Sequence, residues 1–555
     1  MLPAAPPADV AADERRIRLL AWWSALACLL ARLPFVAHRL WDHDSVQFAL
    51  GAEHYDLAAH HPHPPGYPLY IALLKILGLL GVGPGNAMVA LTLVAAACGA
   101  FCLPWLVRAL WSAAPGDHGA DSGASAFSVA LFASALYIFQ PILWFYGELP
   151  LLYAVEGGLT VVLAWAVARM PDGRWALVRA AALLALAAGL RPSSLALLAP
   201  LFAFGWFRAR RAGAARWGDT VLAGAVGGAL ILSWALPLFA AAGGYAAWKA
   251  IGDEHFRTLL PMTSILYGAG VGALRHNTLL VAKWAAQGLF PGAAVLAIVG
   301  VLEPGRLRAA IDGLLRPFFD RSGFLLAWAL PAMAFFALFH ITKAGYTLVH
   351  LPALLVALAF FAAPWLPTPR RAAWAAAAVS LLGVFLYLAG ADRVPGAPAW
   401  QALWRTEFHP REIRDFEREL DAVRALAERE APATTALVTV ELEGRGDGGA
   451  EGFLYPWHRH LQWYLPEFTV LSLVPEESFA LVVTGHKPLM RAGLHLPVPP
   501  ATRRLLFVLG GDPDARFVLP PGGEVLLRGQ RFFVYAAPLP ADHRLGSFEL
   551  DPRSP

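Results

Sequence analysis

Long apolar stretches alternate with short basic or polar segments over the first 390 residues of this 555-residue chain. A membrane-spanning helix needs roughly 20 predominantly apolar residues, and about eleven segments approach that length. These predicted spans lie at 17–38, 87–112, 125–146, 150–169, 175–190, 192–208, 217–241, 279–302, 322–340, 346–365 and 372–390. The remaining residues, 391–555, have the polarity of ordinary soluble sequence. The chain therefore divides into a polytopic membrane region and a smaller water-exposed domain.

The C-terminal part begins with an amphipathic pattern and continues with short β-like runs. Apolar residues recur at helical spacing over 409–430, which predicts one helix with a polar outer face. Strand-like runs follow between Gly- and Pro-rich turns, at 435–441, 468–474, 479–484, 504–509 and 530–536. The predicted fold class is mainly α, a polytopic membrane protein with about eleven transmembrane helices, plus a small C-terminal α/β soluble domain.

Positive charge predicts the orientation of the spans. Arginines concentrate in short loops that all fall on one side of the membrane when the spans above are counted, and such loops are normally cytoplasmic. The segment 67–83 is apolar, but a crossing there would turn every later basic loop outward. We therefore predict a short interfacial or re-entrant helix on the outer side. Lys75 in its middle agrees, because a lysine at the bilayer centre costs about 2.5–3.5 kcal/mol.

This topology predicts three parts and a location. Residues 1–16, rich in Ala and Pro, form a disordered cytoplasmic N-terminus. Residues 17–390 form the transmembrane domain, with outer loops at 39–86 and 242–278, and residues 391–555 form an extracytoplasmic α/β domain. The predicted location is the cytoplasmic (inner) membrane, in contact with membrane lipids. Basic residues are spread over many loops rather than gathered in one patch, so no nucleic-acid partner is expected.

The first outer loop carries an unusual density of acidic and histidine side chains. Asp42 and Asp44 share one face if the backbone is extended, and one of them could then act as a general base. The alternative is that Asp44 caps a helix that starts near Ser45. His63 lies between two prolines. No cofactor is predicted with certainty, although a divalent metal at Asp42, Asp44 and His63 is an open alternative.

A second group of candidates lies at the outer ends of later spans. Arg191 follows an apolar run and would suit a lipid-linked phosphate, although a snorkelling role is an equal alternative. Lys343 and Tyr346 form a similar pair of a cation and an aromatic residue. Glu156, one turn inside a span, needs a partner or a water-filled cavity. The candidate substrate-pocket residues are His63, Tyr67 and Glu148.

Two of these motifs together resemble a known superfamily. The text DHDSVQFALG at 42–51, followed by HHPHPPGYPLY at 60–70, resembles the first outer loop of the GT-C polytopic glycosyltransferases. It is most similar to bacterial relatives of the protein O-mannosyltransferases and of the aminoarabinose and Rgt-type transferases. The runs GLRP at 189–192 and KAGY at 343–346 resemble later positions of the family. The Gly-Tyr-Pro after Pro64-Pro65 departs from the leucine common in the mannosyltransferase branch.

The resemblance implies an inverting membrane glycosyltransferase that uses a polyprenyl-phosphate-linked sugar donor. Its acceptor would be a lipid, a glycan or a protein on the outer face. By motif position, Asp44 is the first choice for the base and Asp42 the second. Arg191, Lys343 and Tyr346 would bind the donor phosphate.

Two other function classes stay open. One is a lipid-linked sugar or solute transporter or flippase without transfer activity, although transporters often show two related halves that this sequence lacks. The other is a membrane scaffold whose outer domain binds a partner, which would leave the acidic first loop unexplained.

Overall fold

The structure is a computed structural model, in which the chain forms two compact units. It describes residues 8–112, 124–315, 321–389, 408–440, 443–445, 451–453, 457–474, 479–484, 487–492, 495–510, 519–529, 531–545 and 548–551. One unit comprises the residues up to Val36 together with Tyr67–Pro410, and the other comprises Ala37–Gly66 together with Arg411–Pro555. The predicted outer loop 39–86 is thus divided at Gly66. Its first part belongs to the same unit as the C-terminal domain and not, as predicted, to the transmembrane domain.

Helices account for most of the first unit, and most of them begin and end within a few residues of the predicted bounds, although the helices that begin at Ala8 and Gly270 each start nine residues before the predicted span. In chain order the α-helices are α1 (Ala8–Arg32), α2 (His43–Glu53), α3 (Pro68–Leu79), α4 (Pro84–Ser112), α5 (Ala126–Phe139), α6 (Pro141–Tyr146), α7 (Tyr153–Ala168), α8 (Arg174–Leu190), α9 (Ser193–Arg211), α10 (Trp217–Ala241), α11 (Tyr245–Thr263), α12 (Gly270–Leu302), α13 (Leu307–Leu315), α14 (Gly323–Leu338), α15 (Leu351–Ala362), α16 (Pro369–Ala389), α17 (Pro410–Ala427) and α18 (His458–Tyr464). A 3-10 turn, Ala344–Val349, precedes α15.

Each of the predicted spans coincides with a helix or a pair of helices. Among the described residues, 5 helices are long and apolar enough to cross a membrane, namely α1, α4, α10, α12 and α16. The predicted spans 125–146, 150–169, 322–340 and 346–365 contain shorter apolar helices. The spans 175–190 and 192–208 correspond to α8, with 17 residues, and α9, with 19. The span 125–146 is two helices, α5 and α6, because the chain turns extended at Gln140 and Pro141 starts a new helix. The membrane region is therefore helical as predicted, while the count of crossings stays a prediction.

Two sequence-based boundaries differ from the structure. The N-terminus is helical from Ala8 and not disordered up to residue 16, because Asp13 and Glu14 form ion pairs with Arg108 of α4. The predicted outer loop 242–278 contains a 19-residue helix, α11. The segment 67–83 agrees with its prediction: it contains α3, whose 12 residues span about 18 Å. This is well short of the roughly 30 Å hydrocarbon core, in keeping with the predicted interfacial helix.

The C-terminal part of the second unit is built on one mixed sheet. Its strands are β1 (Thr435–Val440), β2 (Glu443–Arg445), β3 (Glu451–Phe453), β4 (Thr469–Val474), β5 (Phe479–Thr484), β6 (Lys487–Ala492), β7 (His495–Pro497), β8 (Arg504–Leu509), β9 (Glu524–Arg528), β10 (Phe533–Pro538), β11 (Arg544–Leu545) and β12 (Phe548–Asp551). Seven strands form the main sheet in the order β6-β5-β4-β1-β8-β10-β9. The central strand β1 runs parallel to β4 and β8, and the outer pairs are antiparallel.

The two faces of β1 explain how the helices pack. Ala436 and Val438 face one apolar core, while Leu437 faces the other, which Phe416 and Leu420 of α17 complete. The predicted helix 409–430 and five strand-like runs are therefore confirmed, with strand ends shifted by up to three residues. The edge strands β6 and β9 were not predicted, because Lys487, Pro488 and Arg491 interrupt the apolar pattern of β6, and β9 has only three apolar residues, between Glu524 and Arg528.

Candidate active site

The two candidate aspartates lie at the N-terminal end of α2. Asp42 is the N-cap residue, with an extended backbone, and its Oδ1 accepts a hydrogen bond of 2.9 Å from the amide of Asp44. The predicted extended Asp42–Asp44 pair is therefore wrong, since α2 already begins at His43. The predicted cap was also misplaced: Asp42, which is 3% exposed, caps the helix, and Asp44 lies in its first turn, half-buried. A helix N-terminus favours a negative charge at this position.

The histidine-proline segment folds back onto α2 through His63. His63 Nδ1 lies 2.7 Å from Gln47 Oε1, and an amide oxygen only accepts, so Nδ1 carries the proton and donates. Gly51 of α2 permits this return, because a Cβ at this position would lie 2.8 Å from both N and Cδ of Pro62. Within the part of the chain that the structure describes, no group of three His, Cys, Asp or Glu side chains is arranged to hold a metal.

A buried ion pair in the first unit joins two residues that are 35 positions apart in sequence. Arg191 follows the last residue of α8 in an extended conformation, and its Nη1 donates to Glu156 Oε2 over 2.5 Å. Ser194 Oγ, in the first turn of α9, donates to Glu156 Oε1 over 2.5 Å. The Glu156 side chain is 3% exposed and that of Arg191 11% exposed. The partner that Glu156 required is therefore Arg191.

Aromatic rings frame the Arg191 guanidinium group. Its Cζ lies 4.8 Å from the centre of the Tyr346 ring and 5.6 Å from that of Tyr153. The two rings are 5.1 Å apart, and Tyr67 is also within electrostatic range of the guanidinium. Gly345 makes this arrangement possible, since a Cβ there would lie 2.5 Å from Tyr153 Cγ. The structure thus brings Arg191 and Tyr346 together with Tyr153, in an arrangement that cation–π attraction favours, and Tyr67 interacts electrostatically with the same guanidinium.

The two other candidates in the first unit have separate surroundings. Lys343 is half-buried at the start of the 3-10 turn, where its carbonyl accepts a hydrogen bond of 3.2 Å from the Tyr346 amide. Glu148, between α6 and α7, is buried and accepts a hydrogen bond from the hydroxyl of Tyr387 in α16. The ring of Tyr387 stacks on Trp144 at 4.4 Å. Glu148 thus ties α16 to the α6–α7 connection, and its role in a substrate pocket stays a prediction.

Sequence reasoning missed several partners of these residues. Tyr153 and Ser194 lie in apolar helices, where a single Tyr or Ser gives no signal above the background. The charge on Glu156 at the start of a span was the one available sign that a polar centre lies there. Among the residues described, the hydrogen bond to Glu156 is the one found for the Arg191 guanidinium, a group with five N–H donors. An anion could therefore bind at its remaining donors.

A family model matches part of this chain in sequence, and solved structures match nearly all of it in fold. Residues 54–213 match the family model described as the protein O-mannosyl-transferase TMEM260 N-terminal domain. The crystal structure of ArnT from Cupriavidus metallidurans bound to undecaprenyl phosphate aligns with a TM-score of 0.53 at 13% identity, over 93% of this chain and 97% of that chain. The protein has the ArnT fold. The apo ArnT structure from that organism, also 13% identical, aligns with a TM-score of 0.53 over 95% and 98% of the two chains.

The ArnT fold and the family-model match both agree with the resemblance that the motifs indicate. The family-model match covers the chain from His54, the residue that follows α2, to the loop after α9, and it contains both Glu156 and Arg191. No curated protein sequence matches the chain. The family-model match covers residues 54–213, and the ArnT fold extends over nearly the whole chain.

Proposed function

We propose that this protein is an inverting membrane glycosyltransferase. It moves a sugar from a polyprenyl-phosphate donor to a hydroxyl of a lipid, glycan or protein acceptor on the outer face of the cytoplasmic membrane. The observation that carries the proposal is the buried Arg191 centre in a chain with the ArnT fold. The ArnT structure contains undecaprenyl phosphate, which supports a donor of the same class here.

Arg191 has the chemistry that a lipid-linked phosphate requires. A charged side chain inside a membrane protein is costly and is normally retained for a function. The planar guanidinium can bind two phosphate oxygens at once, and the Tyr346 ring at 4.8 Å supports its plane. In the proposed reaction Arg191 balances the charge that develops on the departing polyprenyl phosphate. Lys343 is the second proposed cation, and Tyr346 completes the phosphate-binding group.

Asp44 is the proposed general base. It takes the proton of the acceptor hydroxyl while that oxygen attacks the anomeric carbon, on the face opposite the departing phosphate. This displacement inverts the configuration of the sugar. Asp44 is preferred to Asp42 because Asp42 Oδ1 is engaged in capping α2. His63, Tyr67 and Glu148 stay the proposed substrate-pocket residues, and no step of this scheme uses a metal.

The test is transfer by the purified protein in lipid vesicles, supplied with radiolabelled polyprenyl-phosphate sugars and a membrane extract as the acceptor source. Asp44→Asn removes the base, and we expect transfer to fall by about 10²–10⁴-fold. Asp42→Asn keeps a good N-cap, so most of the activity should remain. Asp415→Asn is the matched control, since Asp415 pairs with Arg418 on the exposed surface of α17.

Each result points to a different conclusion, provided that the variants melt at the temperature of the parent. Loss in Asp42→Asn with retention in Asp44→Asn would make Asp42 the base. Full activity in both would refute the proposed mechanism. Movement of the lipid-linked sugar across the vesicle membrane without a new glycosidic bond would favour the transporter instead.

A further inference from the structure

The segment Ala37–Gly66, which contains Asp42 and Asp44, is called the acidic loop below. Its backbone is hydrogen-bonded to the C-terminal domain in the residues before α2. The amides of His38 and Arg39 donate to Glu417 Oε1 of α17, the second over 3.0 Å. The amide of Leu40 donates to the hydroxyl of Tyr464 in α18 over 2.8 Å, and the carbonyl of Leu40 accepts from His460 Nε2 over 3.0 Å. Backbone groups just upstream of Asp42 are therefore held by two helices of the domain that follows the membrane region.

A second attachment holds the chain after α2, and it depends on Arg459 of α18. Arg459 is 4% exposed. Its Nη2 donates to the carbonyl of Ala59 over 2.8 Å, and its Nη1 contacts His61 Nε2 at 2.8 Å and Gln462 Oε1 at 3.1 Å. Because a guanidinium only donates, His61 Nε2 accepts and the ring carries its proton on Nδ1. The backbone of His61 pairs in both directions with Asp56, at 2.7 Å each way.

These contacts lead from Arg459 to the proposed base. His63 follows His61 by two residues and donates to Gln47, which lies one turn after Asp44 on the same side of α2. Gly51 keeps the backbone of the returning segment in close contact with α2. Fixing Ala59 and His61 therefore restricts the position of the whole helix that carries Asp44.

We propose that Arg459 is a positioning residue, and that the C-terminal domain acts in the reaction by holding the acidic loop in place. The inference rests on the proposed role of Asp44. An arginine suits this task because its fork reaches two acceptors on the loop at once, whereas a lysine presents a single ammonium group. A displacement of about 1 Å at a reacting group can lower the rate of a reaction about 100-fold.

The test compares Arg459→Ala and Arg459→Lys in the full-length protein with a matched control, Arg504→Ala. Arg504 forms ion pairs with Glu430 and Glu524 of the same domain. Hydrogen exchange over residues 54–66 measures how well the backbone of the loop is held, and transfer kinetics measure the effect on the rate of sugar transfer. In Arg459→Ala we expect exchange at Asp56 and His61 to accelerate at least about tenfold. The value of kcat should fall about 10–100-fold, with the donor KM within about twofold of the parent.

In Arg459→Lys, the hydrogen exchange of the loop and the value of kcat should both return part of the way to those of the parent. In Arg504→Ala, neither quantity should change. Unchanged exchange over the loop in a folded Arg459 variant would overturn the inference. The inference would also be wrong if exchange accelerates in Arg459→Ala while kcat stays at the value of the parent, or if only the donor KM changes. If the parent transfers no sugar from any donor, the proposed function fails instead. The exchange data alone then decide whether Arg459 holds the loop, and Arg459→Lys serves if the alanine variant does not fold.

Discussion

Replacing Glu156 with alanine tests the buried charge centre of the first unit. The carboxylate accepts two hydrogen bonds of 2.5 Å, from Arg191 Nη1 and from Ser194 Oγ. The alanine leaves the guanidinium charge buried without its counterion, which typically costs about 3–5 kcal/mol. We expect Glu156→Ala to lower the free energy of unfolding by that amount. Glu156→Gln keeps one acceptor oxygen, for Arg191, and its amide can donate to Ser194 Oγ in place of the second bond, so it should cost about 1–3 kcal/mol.

The double variant Glu156→Leu with Arg191→Leu separates the charge effect from the loss of contacts. Replacing both members of a buried ion pair by apolar residues is often neutral, so this variant should melt close to the parent. The control is Glu303→Ala, because Glu303 forms an exposed pair with Arg371 whose loss should change stability by less than about 1 kcal/mol.

The assay is thermal unfolding in detergent, followed by the intrinsic fluorescence of the 20 tryptophans. A loss of about 3–5 kcal/mol should lower the apparent melting temperature by several degrees. Polyprenyl phosphate is added in a second series. If Arg191 binds the phosphate, the ligand supplies the missing negative charge, and it should raise the melting temperature of Glu156→Ala more than that of the parent.

Two results would refute this reasoning. If Glu156→Ala melts at the same temperature as the parent, then the Arg191–Glu156 pair does not contribute the free energy of unfolding that its burial indicates. If the double leucine variant is as unstable as Glu156→Ala, then lost packing and not an unpaired charge explains the defect. A ligand effect that persists in the double variant would place phosphate binding at residues other than Arg191.

Two further predictions concern the second unit. Gly51→Ala should displace the segment around Pro62 from α2 and lower the rate of sugar transfer, because the new Cβ would lie 2.8 Å from Pro62. Normal activity together with unchanged hydrogen exchange over residues 54–66 would contradict this prediction. Burial lowers the pKa of His460 to about 3, against about 6.5 in the unfolded chain. Stability should therefore fall as the pH drops below about 6.5, by about 2 kcal/mol at pH 5. His460→Gln should reduce this acid sensitivity in pH-dependent unfolding, and an unchanged slope would contradict it.

The apolar pattern was sufficient to predict most of the secondary structure. The segment 217–241 is α10 from end to end, and the run 479–484 is β5. Both follow from local signals, namely a helix long enough to cross a bilayer and a β-like run between turn residues. Segments whose state depends on remote partners were harder to predict. The helical N-terminus needs Arg108, almost a hundred residues away, to pair with Asp13 and Glu14.

In the candidate site, too, single residues could be predicted from the sequence, whereas their contacts with distant residues could not. Sequence alone drew attention to Asp42, Asp44, Glu156 and Arg191, because charge in an apolar chain is costly and needs a reason. Sequence spacing does not show that Glu156 pairs with Arg191, since these residues lie on different helices whose packing brings them together.

The sequence by itself determined that this is a mainly helical membrane protein with an acidic segment after its first apolar span and an α/β domain at its C-terminus. Only the tertiary structure decided which aspartate caps α2 and which side chains surround Arg191. It also decided that Arg459, some 400 residues further along the chain, holds the loop through Ala59 and His61. The physical reason is that periodicity records which face of an element is buried. Hydrogen bonds between distant segments depend on the packing of whole elements, which local spacing does not encode.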